Sequence, residues 1–194
     1  MEKIIHILGD GGLSREFISF SNFNENYIKI YSKTEIFKIN FQDIIQNKQK
    51  VFIAIGKPSF RKEVFEFLLA NGIKPDTFIH PTVIIGKRTS IGIGCIIQPN
   101  SIISNDVIIS NSVFINCNSF IGHDVVIGDY CSLMANVNLG GWCRLNNDIF
   151  IGTGAVLIPK VKINSNITIG LGTIVTRNLK KEGSYFGNPA KFMI

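Results

Sequence analysis

The residue pair best suited to acid–base chemistry in this sequence is His123 followed directly by Asp124. Histidine titrates near neutral pH, and an adjacent carboxylate favours its protonated form, so the pair is suited to act as a general base. An exposed turn without a catalytic role can also contain a histidine followed by an aspartate. The pair alone does not distinguish a general base from such a turn. His6 and His80 lie in a predicted strand and at a predicted domain junction, where we expect structural roles.

Two further residues support a site around His123. Gly141 follows it by eighteen residues, one full coil of the repeat described below, and its free backbone N–H can bind a developing oxyanion. Asn116 suits turn geometry, and its amide is equally suited to orienting a base or a substrate group. No Ser or Cys stands in a nucleophile arrangement with His123, which favours direct attack by a bound acceptor over a covalent enzyme intermediate.

A six-residue repeat positions these residues. Every sixth residue from Ile85 to Val175 is Ile, Leu or Val, sixteen positions without an insertion, and the residue four places later is small or β-branched. Three hexads make one triangular coil of eighteen residues, and each coil must stack on its neighbours to bury its apolar positions. The repeat predicts a left-handed parallel β-helix of about five coils over residues 82–176, with glycine or asparagine providing the corner geometry.

The repeat also explains most of the cysteines. Cys95, Cys131 and Cys143 occupy the small inward position, so we expect them to be packing residues and not metal ligands or disulfide partners. Cys117 falls at a corner, and the pattern does not explain it. We predict no metal site.

The first part of the chain has a different pattern. Residues 3–8, 27–31 and 51–55 are predicted strands, residues 58–70 form a predicted helix, and residues 77–80 form a last short strand. This alternation predicts a small parallel, Rossmann-like α/β sheet over residues 1–80, followed by the β-helix and its tail over residues 81–194.

The turn at residues 9–12 lacks the third glycine of a dinucleotide fingerprint and the acidic ribose-binding residue, so we do not predict NAD binding. A turn at a helix N-terminus can still receive a phosphate or a nucleoside.

Charge and hydropathy narrow the class of partner. The net charge is +6, and most of the excess of basic residues lies in residues 81–194, which is consistent with a solvated surface or with a polyphosphate ligand. A dense basic run with interleaved aromatics is missing, so we do not predict nucleic-acid binding. No run of eighteen apolar residues is present and no signal peptide is recognised, which predicts a cytoplasmic protein without membrane insertion.

The sequence resembles the bacterial sugar acetyltransferases of the hexapeptide-repeat type. This group includes UDP-4-amino-sugar N-acetyltransferases and sialic acid O-acetyltransferases. The resemblance rests on the hexads, on residues Ile121 to Gly128, on Gly140-Gly141 and on the closing segment Gly187 to Lys191. The resemblance covers essentially the whole chain. It implies a homotrimer with active sites between subunits, acetyl-CoA in the groove between adjacent β-helices, and a nucleotide-linked sugar on the first domain.

The resemblance also implies roles for individual residues. His123 matches the general base, Asp124 the acidic residue that raises its basicity, Asn116 a polar active-site residue, and Gly141 the amide that faces the thioester carbonyl. Acetyl-CoA contacts fall on Ser132, Gly141, Thr153, Leu171 and Lys191. Contacts to the nucleotide sugar fall on Gly11, Gly12, Leu13, Ser32, Lys33, Gly56 and Lys57. Leu13 and Ser32-Lys33 depart from the histidine and the acidic residues that the family often has at these places, and both departures lie on the sugar-nucleotide side of the site.

The favoured hypothesis is an acetyl-CoA-dependent N-acetyltransferase for a UDP- or dTDP-linked 4-amino-4,6-dideoxy sugar, in surface polysaccharide or glycan biosynthesis. Sugar O-acetylation of the sialic acid type uses the same base and is the alternative. A zinc carbonic anhydrase needs three histidine ligands, which the repeat does not provide. A non-catalytic scaffold has no need of His123 beside Gly141.

Overall fold

The computed structural model describes residues 3–193 and confirms a small parallel sheet followed by a left-handed parallel β-helix of about six turns. The first sheet has the order β2-β1-β3, with all neighbours parallel. Its elements are β1 (Ile5–Leu8), α1 (Gly12–Ser21), a 3-10 turn (Glu25–Tyr27), β2 (Ile28–Tyr31), α2 (Lys33–Ile36), α3 (Gln42–Gln46), β3 (Lys50–Ile53) and α4 (Pro58–Ala70).

The β-helix is built from strands of two or three residues, extended by two strands of the tail. They are β4 (Phe78–Ile79), β5 (Ile84–Ile85), β6 (Ser90–Ile91), β7 (Ile96–Ile97), β8 (Ile102–Ile103), β9 (Ile108–Ile109), β10 (Phe114–Ile115), β11 (Phe120–Ile121), β12 (Val126–Ile127), β13 (Ser132–Leu133), β14 (Asn138–Leu139), β15 (Arg144–Leu145), β16 (Phe150–Ile151), β17 (Val156–Leu157), β18 (Lys162–Ile163), β19 (Ile167–Ile169), β20 (Ile174–Val175), β21 (Gly183–Phe186) and β22 (Lys191–Phe192).

These strands form the three faces of a prism. The first face has the order β4-β7-β10-β13-β16-β19-β21-β22, the second β5-β8-β11-β14-β17-β20, and the third β6-β9-β12-β15-β18. The chain passes from the first face to the second at the first corner, from the second to the third at the second corner, and back to the first face at the third corner.

The predicted start of the β-helix is wrong by one hexad. Residues 77–80 were expected to complete the first sheet, but β4 pairs in parallel with β7 on the first face of the prism. The physical reason is visible in the spacing, because Ile79 stands six residues before Ile85 and is in phase with the repeat. The β-helix therefore has about six turns where about five were expected.

The corners depend on two different properties of their residues. The third residue after each inward aliphatic residue has a positive φ in every hexad from Arg88 to Gly172, and Asn, Asp or Gly occupies most of these positions. The glycines directly after the aliphatic residue, expected to provide this geometry, have another role. A Cβ on Gly122 would lie 2.7 Å from the backbone nitrogen of Gly141 on the next coil, so the close approach of coils excludes a side chain there.

The side chains at the small inward positions pack in the core and also form a regular pattern of hydrogen bonds. The thiols of Cys95, Cys131 and Cys143 donate to the carbonyl oxygen fifteen residues ahead, at 3.1 to 3.2 Å, and Ser101 and Ser119 do the same. Burial raises the pKa of the Cys131 thiol to about 12, so the thiol stays protonated and can donate. The prediction that these three cysteines are packing residues is confirmed, because all three are free and buried in the core.

The first domain packs against the first face of the prism. Phe17 and Phe52 of the domain form one cluster with Phe78, Ile96 and Phe114, the outward residues of three successive strands of that face. The rings of Phe17 and Phe78 meet edge to face with centroids 5.0 Å apart. These aromatic side chains bury apolar surface between the two parts of the chain.

Arg61 on α4 ties the two parts together. Its side chain is 1% exposed, and its guanidinium donates to the carbonyl oxygens of Ile55 and Gly56 beyond β3 and of Ser112, Tyr130 and Cys131 at the third corner. No carboxylate forms a salt bridge with it within residues 3–193. Burial lowers the pKa of Arg61 to about 10, which leaves the guanidinium charged at neutral pH.

We expect the Arg61→Met variant to lose about 3 kcal/mol or more of unfolding free energy, measured by urea denaturation. The carbonyl oxygens of Ile55, Ser112 and Tyr130 lose the donor that Arg61 provides, and each buried acceptor left without a donor costs about 1–3 kcal/mol. The matched control is Lys62→Met. Its ion pair with Asp148 crosses the same junction at 3.3 Å but is partly exposed, and should be worth less than about 1 kcal/mol. Equal effects of the two substitutions would contradict a special role for Arg61.

Candidate active site

The candidate base lies at the second corner, between β11 and β12. The Nδ1 atom of His123 lies 2.8 Å from Oδ2 of Asp124, and both side chains are partly exposed. An ionised carboxylate only accepts hydrogen bonds, so Nδ1 carries the proton and Nε2 is the unprotonated nitrogen of the neutral ring. Asp124 has a φ of 59°, because it occupies the left-handed position of its hexad. The geometry leaves Nε2 available to accept a proton.

Gly141 lies directly against this nitrogen. A Cβ on Gly141 would be 2.8 Å from Nε2 of His123, so no side chain fits between the two coils. The carbonyl oxygen of Gly141 accepts from Lys160, whereas its N–H has no acceptor among the described residues. An unpaired backbone N–H beside the candidate base is the arrangement that an oxyanion-binding donor requires.

Trp142 was not predicted as a site residue. Its ring meets the His123 ring edge to face, with centroids 4.3 Å apart, and Nζ of Lys160 lies 5.5 Å from its centroid on the next coil. Trp142 is 45% exposed and has a φ of 60°, a conformation that bulky residues rarely adopt. The sequence does carry the signal, because this is the only tryptophan and it stands where most hexads have Asn, Asp or Gly.

Of the residues expected to bind acetyl-CoA, only Gly141 lies against His123 within one chain. Thr153 and Leu171 follow strands of the first face and lie at the first corner, as does Asn116, whereas His123 is at the second. The Oδ1 atom of Asn116 accepts from the N–H of Cys117 at 2.7 Å, which is a local turn contact. The residues expected at one active site thus lie at two different corners of the prism within one chain.

Ser132 and Lys191 belong to the first face. Ser132 is buried on β13, where its hydroxyl lies 3.4 Å from the carbonyl oxygen of Gly56 and so contacts the first domain. Lys191 begins β22, which pairs with β21 at the end of that face. Ser132 therefore links the β-helix to the loop after β3, and Lys191 is at the end of the prism.

The carboxyl edge of the first sheet forms a cleft of about 310 Å³. The N-termini of α1 and α4 meet there, and such termini favour anionic groups. Its walls are formed by Gly9, Asp10, Gly11, Gly12, Leu13, Lys33, Ala54, Ile55, Gly56 and Phe60.

Two residues expected at the nucleotide site lie outside this cleft. Ser32 is the N-cap of α2, where its hydroxyl and its backbone N–H both bind the carboxylate of Glu35. Lys57 is the N-cap of α4 and faces Asp148 and Phe150 of the β-helix across a separate depression. The spacing of apolar residues could not predict α2, because this helix is only four residues long.

Across residues 3–193, no helix has the length and hydropathy needed to cross a membrane. The same residues contain no group of three or more His, Cys, Asp or Glu side chains arranged to hold a metal ion.

Comparison with known proteins agrees with this fold. The family described as the GMPPB C-terminal domain matches residues 70–170. GDP-perosamine N-acetyltransferase of Escherichia coli O157:H7 is 32% identical over 120 residues, which cover 62% of this chain and 54% of that protein. The chain thus spans about half the length of this relative.

Two solved structures cover nearly the whole chain. The acetyltransferase domain of PglB from Neisseria gonorrhoeae has a TM-score of 0.89 at 19% identity, covering 99% of this chain and 100% of that one. PerB from Caulobacter crescentus, in complex with CoA and GDP-perosamine, has a TM-score of 0.86 at 22% identity, covering 98% of this chain and 97% of that one. At these identities the likeness shows the shared fold.

The family match covers just over half of the chain, and the structural matches extend the same fold over the first domain. The chain therefore belongs to the family of the GMPPB C-terminal domain, and its resemblance to the hexapeptide-repeat sugar acetyltransferases is confirmed in its fold and its relatives.

Proposed function

We propose that this protein is an acetyl-CoA-dependent N-acetyltransferase that acts on a nucleotide-linked 4-amino-4,6-dideoxy sugar used in surface polysaccharide or glycan biosynthesis. The observation that carries the proposal is the second corner, where Asp124 orients His123 and Nε2 lies against Gly141 with its unpaired N–H. The relative from Escherichia coli is named for N-acetylation of GDP-perosamine, and the PerB structure holds CoA together with that sugar nucleotide.

The reaction follows from the two groups at this corner. The amine of the sugar attacks the thioester carbonyl carbon, Nε2 of His123 accepts the proton that the amine loses, and the N–H of Gly141 stabilises the oxyanion. Collapse of the tetrahedral intermediate breaks the carbon–sulfur bond, and the His123 imidazolium returns its proton to the departing CoA thiolate. A covalent acyl-enzyme is not needed, and the nearby Cys143 is unsuited to forming one because burial raises its pKa.

The sugar nucleotide fits the cleft at the carboxyl edge of the first sheet. Gly11 and Gly12 at the start of α1 leave the backbone open to close approach, and the amides there, with Lys33, favour a diphosphate. Ser132 connects this cleft to the β-helix through Gly56. Arg61 holds the same loop from its buried side, so the cleft has a fixed position on the first face.

The acceptor is tested by thiol release from acetyl-CoA with UDP-, dTDP- and GDP-linked 4-amino-4,6-dideoxy sugars beside free sialic acid. We expect turnover with one or more of the amino-sugar nucleotides and none with sialic acid, because an amine is a better nucleophile than a hydroxyl and the first domain offers a nucleotide cleft. Turnover with sialic acid alone would establish O-acetylation in place of N-acetylation.

The base is tested with His123→Ala. Removal of a general base lowers turnover by about 10²–10⁴-fold, and the loss should appear in kcat while the oligomer and the melting temperature are kept. His6→Ala is not a suitable control, because His6 is buried and bonds Tyr31 and Gln49. His80→Ala is suitable, because among the described residues the His80 side chain hydrogen-bonds only to the exposed Thr82. Full activity of the His123→Ala variant would contradict the assignment of His123 as the general base.

We further propose that the active site is completed between subunits of a homotrimer. The second face separates the two corners, and its outward residues Ile84, Ile102, Phe120 and Val156 are 62%, 41%, 40% and 37% exposed in the single chain. Ile84, Ile102 and Phe120 stack in register on three successive coils, and Val156 stands two coils further on, after Asn138. An exposed surface with this apolar content favours association. Three copies packed with this face towards a common axis bring the second corner of one copy to the first corner of the next.

The shared site is tested by co-expression of two inactive chains. His123→Ala removes the base at the second corner, and Leu171→Asp places a charge at the exposed first corner, where Leu171 is 77% exposed. Random mixing in a trimer leaves about a quarter of the sites with both corners intact, so activity should return to about that fraction. A site made within one chain has no intact copy in the mixture, and absence of recovery in a verified mixed trimer would contradict the proposal.

A further inference from the structure

Charged residues occupy the second corner on the N-terminal side of the candidate base. Arg88, Asp106 and Asp124 take the left-handed positions of three successive coils, and His123 directly precedes Asp124. Coils stack about 4.8 Å apart, so Asp106 stands one such spacing from the level of His123. On the other side of the base the same position is occupied by Trp142, which carries no charge.

Arg88 holds the carboxylate of Asp106 by two hydrogen bonds. Its Nε atom lies 2.5 Å from Oδ1 and its Nη2 atom 2.7 Å from Oδ2, and Nδ2 of Asn105 donates to Oδ2 as well. Arg88 therefore reaches along the prism by one coil, and its charge lies at the level of Asp106. The hydrogen bonds from Arg88 and Asn105, together with the nearby His123, lower the pKa of Asp106, so this carboxylate is ionised at neutral pH.

The charged groups around the His123 ring come from its own coil, from the coils on both sides and from the third face: Asp124, Asp106, Arg88, Arg144 and Lys160. Asp124 is the hydrogen-bond partner of the ring, and Asp106 is a second carboxylate one coil away. A nearby anion favours the protonated form of a histidine. An imidazolium cannot accept a proton from an amine, so a second carboxylate without a cation would restrict the base to higher pH.

Building on the proposed function, we propose that Arg88 is a positioning residue that fixes and neutralises Asp106, so that Asp124 is the one carboxylate that sets the protonation of His123. Among residues 3–193 this is the ion pair that joins two coils of the prism. Arg88 is 69% exposed, and such a pair contributes about 1 kcal/mol or less to stability. The place of the pair, on the coil next to the base, thus gives it a role that its stabilising contribution does not.

The test is the pH dependence of the Arg88→Met variant. Loss of the cation leaves Asp106 without a neutralising partner, so the midpoint of the His123 ring titration should rise by about half a pH unit. The titration is followed by NMR of ¹³C-labelled histidine and assigned with His123→Ala. The acid limb of the kcat/KM profile should move by the same amount, which lowers the rate on that limb about threefold and leaves the rate at higher pH unchanged.

The reverse change is expected for Asp106→Asn, which leaves Arg88 as an unpaired cation and should lower the midpoint. Combining Arg88→Met with Asp106→Asn should return the midpoint to that of the wild type, and 1 M salt should reduce both single shifts. A purely structural role predicts lower rates at every pH and no such rescue.

The matched control is Lys87→Met. Lys87 is exposed on the same turn, carries the same charge and forms no salt bridge among the described residues. Its ammonium group is not held one coil closer to the base, so its loss should leave the midpoint unchanged.

The outcomes distinguish this role from the activity itself. An equal midpoint in the wild type and in Arg88→Met overturns the role of Arg88, as does an equal shift in Lys87→Met, and an active wild type then keeps the proposed function. If the midpoints move as expected but the wild type transfers no acetyl group to any 4-amino sugar nucleotide, the proposed function is wrong and the electrostatic role of Arg88 stands.

Discussion

The candidate site of this protein depends on how closely successive coils approach each other at the second corner. A Cβ on Gly122 or Gly140 would overlap the backbone of the next coil, at 2.7 and 2.5 Å from its nitrogen atoms. The ladder hydrogen bonds fix this separation on both sides, so the ring of His123 rests on Gly141 without an intervening side chain. The candidate base and the candidate oxyanion donor belong to adjacent coils, and the backbone sets the distance between them. Preorganisation of this kind lowers the reorganisation needed as charge develops.

The position of the first domain depends on a similar fixed contact. Arg61 donates to five backbone carbonyl oxygens, three on the β-helix and two on the loop after β3 that forms a wall of the cleft at the carboxyl edge of the first sheet. Backbone acceptors move less than side chains, so the guanidinium relates the cleft to the coils more rigidly than the partly exposed pair of Lys62 and Asp148 does. The cleft and the second corner are thus each fixed to the same set of coils.

The regularity of the β-helix made it predictable. A six-residue period predicts the stacked coils of a β-helix. The period alone therefore predicted the core, the inward position of three cysteines and the corner position of His123. The sequence was less informative where a role depends on which corner a residue occupies. Asn116 and His123 are only seven residues apart in sequence. Because a shift of one hexad moves a residue to the next corner, the two residues lie at different corners of the prism. The expected contact of Ser32 with the nucleotide depended on local structure that the sequence does not show. Ser32 is the N-cap of α2, and a helix of four residues is too short to give a detectable periodicity.

The order of residues along the second corner separates unlike charges. Asp124 lies 2.8 Å from the candidate base His123, and Lys160 stands two coils further on. Residues one coil apart at a corner can pair directly, as Arg88 and Asp106 do. The uncharged Trp142 occupies the coil between Asp124 and Lys160, where its ring meets His123 edge to face. A lysine or an aspartate in place of Trp142 would shorten that separation to a single coil and would allow such a pair to form.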